Sequence, residues 1–474
     1  MNVIVFEDSA VLQLGVLTAA RPACDLTIGV TTLFESLCRF GAGLTAEASD
    51  SSTGSVPPIS HVHRVLRPHL HRYLQSLAGR RMPLWGGTSF ESTHPNTKIA
   101  PAGFEQGSRH GNSVLIVNAR VVPSRHNMVT MRSVVEAGRR GVMRCDGAVA
   151  VALLHRAPDT ISGDGRGSGS GSDCRSDGML IDALLAGSID DAVGEIESLG
   201  LDALDGAVDM VSQPHEVVAA HEQAIVGGLA IRLDTGRYRE EQPGLFVAAG
   251  ASVAQHVVVR HGPVVVEAGA EIGPFVCLDG PIWIARNARV NPHAWIRGGT
   301  AIGHDCRVGG EVEASVLEPF SNKSHDGFLG HSHLGSWVNL AAGTITSNLK
   351  ATYGPVRLHQ LLPDNTRTTV HTGRQFLGAM IGDCVKTGIN TSIPCGARIG
   401  VAATVAGLVE EHVAAFTNQL IGGHTTAEQA AIVLERMMAR RGLAFFDADR
   451  ELLTALERMS APASTPVNSS TALS

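Results

Sequence analysis

The chain has 474 residues, enough for two or three domains, each with its own core. A formal charge of −7 and a pI of about 6.3 argue against nucleic-acid binding, which leaves a basic footprint. With 53 glycines and only 4% aromatics, the composition departs from an ordinary two-layer fold and suits a core of stacked small aliphatics.

The N-terminus, Met1-Asn-Val-Ile-Val-Phe-Glu-Asp8, lacks a basic leader and reaches acid at Glu7, so it reads as a buried strand and not a signal peptide. No apolar run approaches the roughly 20 residues of a membrane span. The eight cysteines are scattered, with no Cys-x-x-Cys pair, which fits reduced thiols in a cytoplasmic protein.

Residues 1–212 read as an α/β domain. Strands are expected at Val3–Phe6, Ser113–Val117 and 147–154, and helices over 30–40 and 64–78. That alternation suggests a mainly parallel sheet. Two Ser/Gly-rich stretches, 47–58 and 159–178, read as flexible insertions. The loop after the first strand is where many α/β enzymes bind phosphate at a helix start. It is not glycine-rich here. Its strong group is Arg21, either a bidentate phosphate ligand or a surface arginine tied to a carboxylate such as Asp25. His61/His63 and His69/His71 are spaced by two, which on a helix puts them on different faces and argues against a metal site.

Residues 213–243 read as a helical connector opened by Pro214. From 244 to 412 the texture changes. Aliphatics recur about every six residues, as in Ile272-Gly273, Ile302-Gly303, Leu329-Gly330, Ile381-Gly382 and Ile399-Gly400, with Val253, Val259, Val265, Ile284, Val290, Ile296 and Val308 between. That period belongs to a parallel β-helix with triangular coils of about 18 residues, roughly nine coils in about 168 residues. The rhythm breaks between Leu349 and Gly378, which reads as a loop leaving the solenoid. Thr425-Thr-Ala-Glu428 reads as a capping box for a helix to about Arg441, followed by a second helix over 448–459. These close a C-terminal segment, 413–459, before a disordered tail, 460–474.

The stretch Asn322–Lys350 concentrates the chemistry. The whole chain has four lysines, Lys98, Lys323, Lys350 and Lys386, and three fall in the solenoid. They read either as compact charges for a phosphate or carboxylate or as ordinary surface lysines. His325 is placed as a general base or as a hydrogen-bonded turn histidine. An amine attacking a thioester must lose a proton, and the developing oxyanion needs N–H donors. Asn339 and Asn348 supply such groups; Asn339 comes 14 residues after His325 and Asn348 nine further on, each step short of one full turn, so they would converge across adjacent coils or a subunit interface.

Ser324-His-Asp-Gly-Phe-Leu-Gly330 and Trp337-Val-Asn-Leu-Ala-Ala-Gly-Thr-Ile-Thr-Ser-Asn348 resemble the acetyltransferase half of the GlmU family. Those enzymes are bifunctional glucosamine-1-phosphate N-acetyltransferases and N-acetylglucosamine-1-phosphate uridylyltransferases. Arg21-Pro22, Asp25-Leu26, Gly29, Gly373-Arg-Gln-Phe-Leu-Gly378 and Lys386-Thr-Gly-Ile-Asn-Thr391 extend the likeness to a divergent sugar nucleotidyltransferase branch. The resemblance implies a left-handed β-helix, a homotrimer and acetyl-CoA bound between subunits. It implies His325 as catalytic base, Lys323, Asn339, Asn348 and Lys350 as substrate-binding, and Ala342, Gly343 and Lys386 as acetyl-CoA-binding. For the first domain it implies UTP as nucleotide substrate, Mg2+ as its ion, and Arg21, Asp25 and Asn118 as nucleotide-binding. The chain departs from the family in lacking the Gly-rich loop and any lysine before Lys98, and in having Asn118 at the metal-binding Asp position. Phe328 and Leu349 stand where tyrosines are usual, two hydroxyls fewer in the pocket. Three functions remain open on these residues: the bifunctional synthesis of UDP-N-acetylglucosamine, acylation of another aminosugar with an inactive nucleotide domain, and a non-catalytic trimeric sugar-nucleotide sensor.

Overall fold

The computed structural model describes residues 1–40, 59, 61–77, 83, 85, 113–156, 170–185, 189–361 and 367–460. The expected insertion 47–58 and the tail after Ser460 lie outside them. The first strand, β1 (Asn2–Phe6), is buried along its whole length, as its unbroken apolar run requires. It is an interior strand of a five-stranded sheet with β2 (His61–Val65), β3 (Ser113–Asn118), β4 (Gly141–Cys145) and β5 (Ala148–His155), ordered β2-β1-β3-β5-β4. β1 pairs in parallel with β2 and β3, but β5 runs antiparallel to both β3 and β4. The sheet is therefore mixed, not mainly parallel: β4 and β5 join through a tight turn at Asp146-Gly147, both at positive φ, and a turn that short permits only antiparallel neighbours.

Alternate side chains split the sheet's two faces. Val3, Val5, Leu115 and Val117 meet α1 (Leu33–Arg39) and α3 (Arg125–Ala137). Ile4, Phe6, Val114 and Ile116 meet α4 (Ser170–Leu185). The expected helix over 64–78 is shorter, α2 (Pro68–Leu77), because His61–Val65 is taken into the sheet beside β1. His61 and His63 thus share one side of a strand, with ring centroids 6.0 Å apart, and the helical argument against them does not apply. Residues 170–178, expected as flexible insertion, begin helix α4. Tertiary contacts override the weak helix preference of Ser and Gly there. Asp177 is fully buried, receives two bonds from Arg140 Nε and one from Nη2 at 2.7 Å, and accepts the His155 N–H at 3.0 Å. Leu180, Ile181 and Leu184 then pack on the sheet. After α5 (Ile189–Ser198), the connector is one 20-residue helix, α6 (Pro214–Leu233), with Pro214 in its first turn and a Gln213/Glu216 capping box.

The solenoid has three parallel faces. On the first, Val247, Val266, Ile284, Ile302, Leu317, Leu334, Ile381, Ile399 and Val413 stack inward, one per coil, so nine coils are present among the described residues. Val265, expected inward, instead faces out beneath α6 with Trp283 and Ala301. Its neighbours Val264 and Val266 fill the core. The first face continues to Val413, and the hairpin Thr417–Asn418/Gly423–His424 closes the last coil, so the solenoid runs past 412. α7 (Ala427–Ala439) and α8 (Asp447–Ser460) then pack along one corner of successive coils, in a cluster with Trp337, Cys384, Ala402 and Phe416. The capping box is Thr426/Gln429, one residue beyond the expected pair.

The excursion forms an antiparallel hairpin, Arg357–Leu361 with Arg367–His371. Val356, Leu358 and Leu377 from this excursion join the core of the N-terminal sheet. Tyr73 of α2 and Trp85 pack in one cluster with Trp337, Phe416 and the C-terminal helices. Hydrophobic clusters thus cross the boundaries drawn from sequence. Among the described residues no helix is long and apolar enough to cross a membrane.

Candidate functional site

On the second face the inward column reads Val253, Ile272, Val290, Val308, Lys323. A lysine therefore stands where four aliphatics precede it. Lys323 is 1% exposed, and its Nζ donates to the carbonyls of Gly309 at 3.0 Å, His325 at 2.7 Å and Asp326 at 3.1 Å. Burial pushes its amine down to about 8, with the Asp326 charge pulling the other way. This corrects its assignment as a substrate ligand: the ammonium faces the inside of the corner and holds the turn that carries His325. Asn291 Nδ2 adds a bond to the Ser324 carbonyl at 2.8 Å. The His325 side chain is exposed at the outside of that turn.

The next coils stack their own turns on this one. A Cβ on Gly327 would strike the Thr344 carbonyl, and one on Gly343, at φ +71°, would strike Asn390 Oδ1. Asn390 N–H donates to the Ala342 carbonyl at 2.8 Å. The His325 turn and the Ala342-Gly343 turn are thus neighbours at one corner. Asn339 and Lys386 lie on the strand positions leading into it, bridged to each other and to Asn322 in one outward row. Lys386 Nζ donates to the Cys384 carbonyl at 2.9 Å, and burial lowers its amine. One corner therefore gathers six of the residues singled out by sequence, Lys323, His325, Asn339, Ala342, Gly343 and Lys386.

Asn348 and Lys350 are not among them. They lie past the third face, at the following corner. Lys350 Nζ donates to the Pro355 carbonyl at 3.1 Å, and Asn348 Nδ2 donates to His331 Nδ1 at 2.9 Å. His331 was set aside in the sequence as one histidine among several. The available signal was its separation of 17 residues from Asn348, close to one coil.

The first domain departs further from expectation. Arg21 is 1% exposed and does not face an open loop. Its Nη2 pairs with Asp383 and donates to Ser336 Oγ at 2.8 Å, and its Nη1 lies 3.2 Å from Glu318, all three partners on the solenoid. Glu318 also accepts from the Thr27 N–H and hydroxyl, each at 2.8 Å, and meets His333 Nε2 at 3.2 Å. Asp25 accepts from Arg64 Nη1 and Trp85 Nε1, each at 2.9 Å. Asn118 is fully buried and donates to Asp8 at 2.8 Å and to the Val149 carbonyl at 3.0 Å. Arg120 occupies both oxygens of that Asp8, at 2.9 and 2.7 Å. The residues at this position do not fit Mg2+: Asn118 offers no charge, and the Asp8 carboxylate beside it is already neutralised by Arg120. Arg21 and Asn118 share no partner.

Burial alone would raise the Glu318 carboxyl, but the Arg21 charge and the His333 and Thr27 contacts overcome it and hold it at about 2. A carboxyl depressed in the folded state contributes stability above its unfolded pKa and loses it as pH falls through the folded one. Between about pH 5 and pH 2 this group alone should remove roughly 3 kcal/mol. Urea midpoints measured across that range should fall more steeply for the native chain than for Glu318→Gln.

Residues 3–230 match the family model described as sugar nucleotidyl transferase. The bifunctional protein GlmU of Picosynechococcus sp. is 33% identical over 144 residues, 30% of this chain and 27% of that protein. Its counterpart in Methanococcus vannielii is 35% identical over 141 residues, 29% of this chain and 33% of that protein. The chain thus spans about a third or less of the length of these two curated relatives. Among solved structures, LpxA from Acinetobacter baumannii matches at 13% identity and a TM-score of 0.17, over 45% of this chain and 96% of that one. The chain is thus similar to GlmU proteins over about a third or less of its length, with the sugar nucleotidyl transferase match confined to its first half.

Proposed function

We propose that the protein is an acetyl-CoA-dependent N-acetyltransferase acting on an aminosugar phosphate, with glucosamine-1-phosphate as its substrate. The observation that carries this reading is the exposed His325 on a turn fixed from beneath by Lys323, beside the Ala342-Gly343 turn. The sugar amine attacks the thioester carbonyl, a C–N bond forms and the C–S bond breaks. His325 takes the proton leaving the amine and returns it to the departing thiolate. We assign Asn339 and Lys386, in the row entering the corner, to the sugar phosphate and acetyl-CoA respectively. Asn348 and Lys350 sit one corner away, and a homotrimer would let that corner of one subunit face His325 of another. The cytoplasm, where acetyl-CoA is made and used, suits this chemistry.

For the first domain we favour a role without UMP transfer from UTP. The engaged state of Arg21, Asp25 and Asn118 supports that second reading over the bifunctional one. Two assays on the full chain test both readings. Acetyl-CoA and glucosamine-1-phosphate should give N-acetylglucosamine-1-phosphate by mass spectrometry. UTP with that product should release no pyrophosphate; release would restore the bifunctional reading, and absence of acetylated product would refute the first.

Lys323→Met keeps the length of the side chain and removes the three bonds that hold the turn. The acetylation kcat should fall about 10- to 100-fold, since a displaced base loses much of its contribution. The KM for acetyl-CoA should stay within a few-fold, and initial-rate kinetics at saturating acceptor check both.

A further inference from the structure

At the second corner, the Gly330-His331 turn carries His331 at φ +47°. Three elements surround its ring. Phe376 from the end of the excursion stacks on it, with centroids 5.3 Å apart and planes at 24°. Asn348 Nδ2 donates to its Nδ1 at 2.9 Å. The backbone fixes the same geometry: Gly378 N–H donates to the His331 carbonyl at 2.8 Å and Leu377 N–H to the Asn348 carbonyl at 2.9 Å. The charged groups facing the ring are Glu222 of α6, Arg374 of the excursion, and Arg297 of a preceding coil. Glu222 and Arg374 are paired at 2.5 Å, and Arg297 is paired with Glu313 at 2.8 Å. None of them is a donor or acceptor to the imidazole, so Asn348 is the only side chain among the described residues that hydrogen-bonds His331 through Nδ1.

An asparagine amide carries both a donor and an acceptor end, and which end faces a ligand decides what it can bind. We propose that His331 is a positioning residue that sets Asn348: by accepting the Asn348 N–H it leaves Oδ1 as the free acceptor for the amine or a hydroxyl of the aminosugar. This rests on the reading of Asn348 as a substrate contact. Burial lowers the His331 pKa from its ordinary value, Arg374 and Arg297 push the same way and Glu222 opposes them, which favours the neutral ring at pH 7; the Asn348 amide donating to Nδ1 then puts the ring proton on Nε2. Protonation would set N–H against N–H and turn the amide over.

Two substitutions separate positioning from packing. His331→Phe keeps the stack on Phe376 and has no acceptor. His331→Asn keeps an acceptor and tolerates the left-handed backbone. We expect the aminosugar-phosphate KM to rise about 10-fold in His331→Phe, the equivalent of one lost hydrogen bond. In His331→Asn it should return to within about 3-fold of the native value. The KM for acetyl-CoA should not move in either. In the native chain the acceptor KM should rise as pH falls through the range where His331 protonates, which burial places below that of an ordinary histidine, and this part of the pH dependence should be lost in His331→Asn. A 15N spectrum of the imidazole should show Nδ1 unprotonated at pH 7 in the native chain and altered in Asn348→Ala. A protonated Nδ1, or an unchanged acceptor KM in His331→Phe while the native chain is active, overturns the proposal alone. If the native chain transfers no acetyl group, the reading of Asn348 falls and the proposal with it, even with the spectrum as expected.

Discussion

Arg21→Met is expected to destabilise the folded chain by about 3–5 kcal/mol, the cost of removing one partner from a buried ion pair. The guanidinium is the charge that compensates two carboxylates, Glu318 and Asp383, which are 2% and 4% exposed. Without it both remain buried on the solenoid, still desolvated, and the N-terminal loop loses its polar anchor. The remaining contacts do not replace it. Thr27 donates two neutral bonds to Glu318, and Ser336 N–H gives one to Asp383 at 2.7 Å. The triple change Arg21→Met, Glu318→Gln, Asp383→Asn should recover much of the loss, because it removes the stranded charges along with their partner. Urea denaturation of the single and triple variants measures this. If Arg21 served instead as a phosphate ligand on an open loop, the single variant would keep its midpoint and lose only affinity for UTP.

Arg21 also marks where the sequence stops being legible. The strand Val3–Phe6, the connector helix at Pro214 and the six-residue rhythm could be read because each is a local pattern: an apolar run, a cap, a repeat. The inward column from Val247 to Val413 is that rhythm realised in space. What could not be read were partners far apart along the chain. Arg21 and Asp383 are 362 positions apart, and Arg21 looked like a phosphate ligand because the strand before it was the only context available. Asp177 turned a Ser/Gly-rich stretch into helix through Arg140, again a contact with no local signature. At the candidate site the residue types were visible and their grouping was not. Periodicity placed His325, Asn339 and Asn348 on successive turns, but a coil has three corners. The phase that puts Asn348 one corner beyond His325 depends on coils that are not all 18 residues long, since Ile302 pairs forward to Leu317 and Leu317 to Leu334. Lys323 misled for a similar reason. Its charge suggested a ligand contact, whereas its position in the hexapeptide is the inward one.

The second large effect is expected at His325. Its imidazole stands outside the corner while the backbone behind it is held by Lys323 and Asn291. As the proposed base it would need no rearrangement to meet an amine arriving at the neighbouring turn. Positioned general bases contribute about 10²–10⁴-fold to rate. His325→Ala should therefore lower kcat for acetylation by that range while leaving the fold intact, because an exposed turn side chain contributes little to stability. The KM for acetyl-CoA should change little, since the proton transfer is made only in the transition state. The direct measurement is the rate of thiol release from acetyl-CoA with glucosamine-1-phosphate, native chain against His325→Ala, with matched urea midpoints. Acceptor-dependent release that drops at least about 100-fold in the variant is the predicted result. Equal rates in the two proteins, or no acceptor-dependent release from the native chain, would contradict acyl transfer at this corner.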